Sequence, residues 1–485
     1  MSNRFARLST RSLMFAFAFT STAHAGGAPD LSKAPAVSAA EPWQAPTPSS
    51  ANTASGVRLV VLPQRELPIV HLLLVVQAGS ELDPPGQPGV AALTARMLEE
   101  GGGGKLSGPA LSAALDELGG ELHVDVDESG ARFFLTVLST KLDRALELLG
   151  DMIARPRFDP AEWPSVKSRQ LAELARDRDQ PRKIADEAFQ HVLFGDHPYG
   201  HAAMGTPATV DKLTLEDVRR FYDKHYGPKV TTVILVGDST VEQAARPVQA
   251  AFGAETVWQK NLTPSAAPPV AAEPGARFVI IDRPGAPQSE VRVGRVGVAF
   301  GSPELAPISL LEMVLGGSFT SRLNQNLREK HGYTYGAHAE FKLFRAAGPF
   351  VAAAAIRTDA TAEAMKEIFA ELGGMRAPLP EAELRKGRAL VLQKIIETFG
   401  DGAQAAFLLG ELVANDQPLD TWGRLQTRLL KLDAAAVTRL ADKVLPTDGW
   451  IVVILGDRKV IEPKLRALPM AKTLELRNLD GDPLK

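Results

Sequence analysis

The chain repeats one β-strand motif at an interval of roughly 220 residues. The segment Thr232–Asp238 reads Thr-Val-Ile-Leu-Val-Gly-Asp, and Trp450–Asp457 reads Trp-Ile-Val-Val-Ile-Leu-Gly-Asp. A second pair of related segments, Gly79-Ser-Glu-Leu and Gly301-Ser-Pro-Glu-Leu, recurs at a similar interval. Each repeat contains both strand and helix patterns and is far too long for a solenoid unit. The sequence therefore predicts two copies of one α+β domain.

Composition indicates where these two domains begin and end. Residues 259–276 combine Pro, Ala and Gly without a periodic apolar pattern, which is typical of a linker. We therefore expect an N-terminal domain at 57–258, a C-terminal domain at 277–470 and a tail at 471–485.

The first 56 residues have the pattern of an export signal followed by a leader. Three arginines precede the apolar run Leu13–Phe19, and Ala23-His-Ala25 fits a signal-peptidase cleavage site. This pattern predicts a signal peptide at 1–25. Residues 26–56 are rich in Ala, Pro and Ser, which favours a flexible leader.

Composition also excludes several classes of function. The 485 residues include no cysteine, so disulfides and thiolate metal sites are excluded. The formal net charge is −3, which gives no basic excess for binding nucleic acid. After the N-terminus no apolar run is long enough to span a membrane. With the export signal, these features predict a protein of the bacterial periplasm.

One helix is predicted with particular clarity, at Gly89–Gly104. Val90, Leu93, Met97 and Leu98 recur at spacings of three and four, which makes one apolar stripe. Prolines precede the segment, and the four consecutive glycines at its end favour a C-cap. By itself this pattern indicates an ordinary helix packed against a core.

The surroundings of this helix resemble the pitrilysin/insulinase family of zinc peptidases. The resemblance rests on Glu81–Ala91 at the start of the helix, on Leu118-Gly-Gly-Glu-Leu and on Phe194–Gly200, which occur in the family's order and spacing. It extends over nearly the whole chain after the leader. It implies an α+β fold of two homologous halves, in each of which helices pack on one mixed β-sheet.

The resemblance also implies a zinc site that this sequence lacks. In the family this helix carries His-x-x-Glu-His, in which the two His bind zinc and the Glu acts as general base. Here Ala92, Ala95 and Arg96 stand at those three positions. Glu173 matches the family's third zinc ligand. Alanine supplies no ligand and the Arg cation repels zinc, so we expect no zinc in this chain and a solvated or ion-paired Glu173.

Two other patterns do not support a replacement site. His197 and His201 are four residues apart, but Pro198 and Gly200 prevent a helix from aligning them. The segment Gly101–Lys105 lacks the Ser or Thr that follows the lysine of a phosphate-binding loop. We interpret both as structural loops.

The segment Gly316–Tyr335 resembles the family's substrate-side motif. The resemblance implies that Arg328 and Tyr335 reach the zinc site from the C-terminal domain. A Tyr hydroxyl can donate to the oxyanion that develops on the scissile carbonyl, and an Arg can hold peptide carbonyls. Glycine allows a substrate backbone to come close. The expected substrate-binding residues at the start of the motif are Gly316, Gly317 and Ser318.

A chain with the Arg/Tyr motif but without the zinc motif resembles the non-catalytic subunits of two-chain family members, such as the α-subunit of mitochondrial processing peptidase. The resemblance implies a homologous catalytic subunit that carries His-x-x-Glu-His and zinc, with peptides as substrates. The main alternative is a purely structural or peptide-binding member without a role in proteolysis. A third possibility is an autonomous hydrolase with unusual chemistry. A neighbouring gene for a homologue with His-x-x-Glu-His would favour the two-chain peptidase.

Overall fold

Two six-stranded mixed β-sheets, one in each half of the chain, organise the fold. The computed structural model describes residues 43–253, 258, 262–263, 268–270, 275–471, 474–479 and 481–484. The predicted signal peptide, most of the leader and most of the linker lie outside the described residues. The described residues from Gln44 onward belong to one compact unit.

The strands of the first sheet are β1 (Ser49–Asn52), β2 (Arg58–Pro63), β3 (Ile69–Val76), β4 (His123–Val126), β5 (Ala131–Leu138) and β6 (Thr231–Gly237). Their order across the sheet is β1-β2-β6-β3-β5-β4. Strands β2 and β6 are parallel, and every other neighbouring pair is antiparallel.

The strands of the second sheet are β7 (Arg277–Asp282), β8 (Gln288–Val296), β9 (Thr334–Phe341), β10 (Pro349–Arg357), β11 (Ile451–Gly456) and β12 (Leu474–Arg477). Their order, β12-β7-β11-β8-β10-β9, repeats that of the first sheet. The two sheets differ at one edge, because β1 pairs antiparallel with β2 whereas β12 pairs parallel with β7.

Helices surround both sheets. Those of the first half are α1 (Val90–Glu100), α2 (Gly108–Asp116), α3 (Leu142–Ala154), α4 (Trp163–Asp177), α5 (Pro181–Phe194), α6 (Pro207–Val210), α7 (Leu215–His225) and α8 (Val241–Phe252). Those of the second half are α9 (Leu305–Leu315), α10 (Thr361–Gly374), α11 (Glu381–Gly400), α12 (Gly402–Ala414), α13 (Thr421–Lys431), α14 (Ala434–Val444) and α15 (Arg458–Leu465). A π-helical segment spans Asn324–Lys330.

The two halves exchange one helix each. Helix α5 of the first half packs on β8 and β11 of the second sheet, and α12 of the second half packs on β3 and β6 of the first sheet. The ring of Phe189 lies against Gly294, where an added Cβ would stand 2.6 Å from the ring. Likewise Gly410 lies against the side chain of Leu73. Because both faces of the central strands are therefore covered, β3, β6 and β11 are almost continuously apolar.

These observations confirm the predicted α+β fold class with two homologous halves. Two of the predicted boundaries are wrong. Strand β1 lies inside the segment 26–56 that was predicted to be a leader, and β12 lies inside the predicted tail at 471–485. Both are edge strands of only four residues, and neither has the apolar pattern that identifies a central strand. Among the described residues, no helix combines the length and the apolar character needed to cross a membrane.

Candidate functional site

The start of helix α1 is fixed by a buried carboxylate. The two oxygens of Asp83 accept hydrogen bonds from the amides of Gly89 at 2.7 Å and Ala91 at 2.9 Å. Gly89 has a φ of +96°, and an added Cβ would stand 2.7 Å from the carbonyl oxygen of Met204. Burial raises the pKa of Asp83 to about 8, although the two amide hydrogen bonds lower it. The helix is therefore anchored at the residues just before the motif positions.

The motif positions on α1 hold no metal-binding group. Ala92 and Ala95 are buried, with 2% and 0% of their surface exposed. The guanidinium of Arg96 forms an ion pair with the carboxylate of Glu173, which was expected to be solvated or ion-paired. Helices α1 and α4 are thus joined by a cation and an anion at the positions where the family has zinc and its carboxylate ligand.

Further charges surround this ion pair. Arg169, also on α4, pairs with Glu100 at the end of α1. Burial raises the pKa of Glu99, and the charges of Arg96 and Arg169 partly oppose this effect. These contacts tie the two helices together along one side of α1.

The residues present do not fit a zinc ion. Zinc in such a site needs imidazole or carboxylate ligands whose lone pairs point at the metal. Two of the four motif positions are alanines, and the one carboxylate, Glu173, accepts from a guanidinium. Elsewhere in the described ranges, no group of three His, Asp or Glu side chains is arranged to hold a metal ion.

The second motif folds as a loop, a π-helical segment and the edge strand β9. The buried side-chain amide of Asn324 connects these three parts. The side chain of Asn324 donates to the carbonyl oxygens of Ser318 at 3.1 Å and Ala337 at 2.9 Å, and accepts from the amide of Ala337 at 2.9 Å. It also donates to the hydroxyl of Ser321 at 3.2 Å. Asn324 therefore fixes the loop after α9 to strand β9. Sequence reasoning did not identify this role, since the only signal was the presence of Asn324 inside the motif.

Arg328 lies on the ring of Phe319. Its guanidinium carbon is 3.4 Å from the ring centroid, and Nη2 donates to the carbonyl oxygen of Phe319 at 3.3 Å. Nε donates to Glu329 at 2.8 Å. Within the described part of the chain, Nη1 makes no hydrogen bond. Arg328 is thus held by its neighbours with one nitrogen left for another molecule.

Tyr335 points into solvent from β9, with 92% of its surface exposed. Its hydroxyl makes no hydrogen bond to any residue that the structure describes. Among those residues, no hydrogen bond or ion pair connects Arg328 or Tyr335 with Arg96 or Glu173. The two motifs are therefore not joined by a direct polar contact between these residues.

The glycines that open the second motif have a structural explanation. A Cβ on Gly316 would stand 2.1 Å from the amide nitrogen of Ala339, so only glycine permits α9 to approach β9 this closely. Gly317 is exposed, and the side chain of Ser318 is half-buried. Gly316 is thus needed for packing, whereas Gly317 and Ser318 lie at the surface.

A buried polar network joins the two halves, and sequence reasoning did not find it. Oε1 of Glu81 forms an ion pair with Nη1 of Arg345 at 2.8 Å, and the hydroxyl of Tyr199 donates to Oε2 at 3.3 Å. The same hydroxyl accepts from the amide of Ala346 at 3.1 Å. Burial raises the pKa of Glu81 to about 6, and the charge of Arg345 partly opposes this. Glu81 and Tyr199 both belong to segments that resemble the family. This membership is the only sequence signal that could have pointed to the network.

Two family descriptions match adjacent parts of the chain. Residues 59–207 match the family described as "Insulinase (Peptidase family M16)", and residues 212–391 match "Peptidase M16 inactive domain". Together the two matches span more than half of the chain; the first ends at the first residue of α6, and the second begins just after this helix.

Curated relatives in several bacteria are described as zinc proteases. The chain is 30% identical over 295 residues to an "uncharacterized zinc protease" of Streptomyces coelicolor; the match covers 59% of this chain and 63% of that relative, less than two thirds of its length. It is 24% identical to an "uncharacterized zinc protease" of Rickettsia bellii, covering 79% of this chain and 92% of the relative.

Solved structures show the same fold. A peptidase M16 inactive domain from Pseudomonas fluorescens superposes with a TM-score of 0.77 at 26% identity, covering 84% of this chain and 98% of that one. A protease from Helicobacter pylori gives a TM-score of 0.77 at 21% identity, covering 84% and 99%. A chain of complex III2 from Candida albicans gives 0.71 at 14% identity, covering 86% and 99%. The last two similarities concern the fold alone.

Proposed function

The chain belongs to the insulinase (M16) family of peptidases, and from this premise we propose that it is the non-catalytic subunit of a heterodimeric zinc peptidase of the bacterial periplasm. The ion pair between Arg96 and Glu173 carries the proposal. It replaces the metal with a guanidinium and uses up the one carboxylate that matches a zinc ligand. The zinc and the general base then come from a homologous partner with His-x-x-Glu-His.

In this pair, the present chain contributes the Arg/Tyr motif to the partner's site. The exposed hydroxyl of Tyr335 donates to the oxyanion that forms when water adds to the scissile carbonyl. Arg328 uses Nη1 to hold a backbone carbonyl of the extended peptide. The exposed Gly317 lets the peptide come close to the loop beside Ser318, while Gly316 permits the packing that positions it.

The domain organisation fits this role. The N-terminal half, which includes β1, retains the fold of a catalytic domain without its metal, and the C-terminal half, which includes β12, presents the Arg/Tyr motif. The sequence pattern of an export signal at 1–25 supports a periplasmic location for the pair. The Pseudomonas fluorescens structure, described as a peptidase M16 inactive domain, supports a non-catalytic role for this chain.

The proposal is tested by reconstitution. The purified chain is mixed with the His-x-x-Glu-His homologue from the same organism, complex formation is measured by size, and cleavage of a set of unstructured peptides is followed. We expect each chain alone to be inactive and the mixture to be active. Replacing the Glu of the partner's motif with Gln should abolish cleavage, which assigns the reaction to the partner's zinc site.

The variant Tyr335→Phe then tests the contribution of this chain. It removes only an exposed hydroxyl, so folding and pairing should be unchanged. Loss of one oxyanion donor lowers turnover by about 100- to 1000-fold. A pair that forms normally and cleaves at the unmutated rate would instead favour the purely structural partner. Cleavage by the isolated chain would contradict both.

A further inference from the structure

The second motif exposes an unusual amount of aromatic surface. Phe319 is 73% exposed and Tyr335 is 92% exposed, and they are the two most exposed aromatic side chains, histidines aside, among the residues that the structure describes. Both belong to the segment that holds Arg328. Large apolar side chains are normally buried, and aromatic side chains that remain exposed together commonly mark a binding surface.

Phe319 is held in place although its ring is exposed. The carbonyl of its neighbour Ser318 is bonded to the buried amide of Asn324, and its own carbonyl accepts from Arg328. One face of the ring is covered by the guanidinium of Arg328, at 3.4 Å. The opposite face and the edge account for the exposed surface.

We propose that Phe319 is a specificity-determining residue of the peptide site and that it also positions Arg328. Its covered face holds the guanidinium in the orientation that leaves Nη1 for a peptide carbonyl. Its open face contacts an apolar side chain of the same peptide. The inference rests on the proposed function and adds a substrate class: extended peptides with an apolar residue next to the carbonyl that Arg328 binds.

The two parts of this role depend on different properties of the Phe319 ring. A cation over an aromatic ring is attracted by the negative face of the ring, and an aliphatic side chain cannot replace that attraction. An apolar contact with substrate, in contrast, needs only apolar surface. Variants at this position therefore separate the two effects. Phe319→Tyr keeps both, Phe319→Leu keeps only the apolar surface, and Phe319→Ala removes both.

The positioning effect is measured on the isolated chain by NMR with ¹⁵N-labelled arginine. The Nε–Hε resonance of Arg328 is assigned by its disappearance in Arg328→Lys, and its ¹⁵N relaxation gives the order parameter of the Nε–H bond. We expect a rigid Nε–H bond in the unmutated chain and in Phe319→Tyr, and a mobile one in Phe319→Leu and Phe319→Ala. An equally rigid bond in Phe319→Ala would overturn the positioning role.

The specificity effect is measured on the reconstituted pair, with peptides in which a single Leu is moved along a Gly/Ser background. We expect one Leu position to lower KM, and Phe319→Ala to reduce that preference by about 3- to 10-fold, in line with the loss of roughly one buried methylene of apolar contact. Phe319→Leu should retain the preference. Leu430→Ala, which removes an apolar side chain that is 57% exposed on α13, is the matched control and should leave it unchanged.

The outcomes distinguish this inference from the proposed function. A pair that cleaves no peptide with the unmutated chain contradicts the proposed function. A pair that cleaves, but without a preference for any Leu position or with the same preference in Phe319→Ala, contradicts only the assigned specificity of Phe319.

Discussion

The guanidinium of Arg96 on helix α1 is paired with the carboxylate of Glu173 on helix α4, 77 residues later in the chain. The two side chains are 23% and 36% exposed, so the pair is only partly shielded from solvent. An ion pair at this level of exposure contributes about 1 kcal/mol or less to stability. Its main effect is chemical: it places a positive charge beside the one carboxylate that matches a zinc ligand, and that charge repels a metal cation.

The purified chain should contain no stoichiometric zinc, because Ala92 and Arg96 stand where imidazole ligands are needed. The triple variant Ala92→His, Ala95→Glu, Arg96→His should bind about one zinc per chain, since it restores the ligands and releases Glu173. Elemental analysis after gel filtration checks both. Adding Glu173→Gln to the triple variant is the matched control and should lower zinc affinity markedly.

The same triple variant should be less stable than the unmutated chain in the absence of zinc. Ala92 and Ala95 are buried, and larger side chains at well-packed positions cost about 1–3 kcal/mol. Chemical denaturation with and without zinc measures this cost and the stability that metal binding restores.

One tightly bound zinc in the unmutated chain would be incompatible with the proposed function.

Arg328→Ala should act on substrate binding more than on turnover. Its Nη1 would hold a peptide carbonyl in the ground state and the transition state alike, so its loss should raise KM with a smaller change in kcat. Steady-state cleavage by the reconstituted pair gives both constants. A fall in kcat at constant KM would indicate that Arg328, rather than Tyr335, contacts the reacting carbonyl.

Replacement of Glu81 should change how stability depends on pH. Burial raises the pKa of Glu81 from 4.5 to about 6, so the folded state retains a proton that the unfolded state has lost. The stabilisation from this proton is present below pH 4.5 and is lost as the pH rises through 6. Relative to Glu81→Gln, the free energy of unfolding should fall by about 2 kcal/mol across this interval. Urea denaturation between pH 4 and 7.5 measures the difference, and a difference that grows with pH would show that the ionised pair with Arg345 is the stabilising form.

Phe189→Ala should destabilise the chain by about 3–5 kcal/mol. Phe189 is 4% exposed and packs with the second sheet against Gly294, although it belongs to the first half. Because each half completes the core of the other, we expect both to unfold in one transition. Denaturation followed by probes in each half tests this, and Leu430→Ala should change stability by less than about 0.5 kcal/mol. Independent unfolding of the two halves would contradict the role assigned to the helix exchange.

The mature protein should begin at Gly26 if Ala23-His-Ala25 is the cleavage site. N-terminal sequencing of the protein recovered from the periplasm measures this directly. Periplasmic material that retains Met1 would contradict the predicted signal peptide.

The sequence by itself determined the class of fold and the absence of the zinc motif. The repeated strand at Thr232–Asp238 and Trp450–Asp457 predicted two α+β halves, because strand and helix periodicities are local properties of the chain. Ala92 and Arg96 excluded zinc ligation through their chemistry alone, whatever the surrounding fold. The edge strands β1 and β12 were missed because short, partly exposed strands lack a strong apolar pattern.

Only the tertiary structure decided which groups meet. The pairing of Arg96 with Glu173, the placement of Arg328 on Phe319 and the contact of Glu81 with Arg345 join residues whose spacing in the chain follows no local rule. The exchange of α5 and α12 could not be predicted from helix periodicity either, because an apolar stripe requires a partner surface without specifying which sheet provides it. In this chain the apolar stripes of α5 and α12 are each covered by the sheet of the other half. This packing makes the two halves a single compact unit.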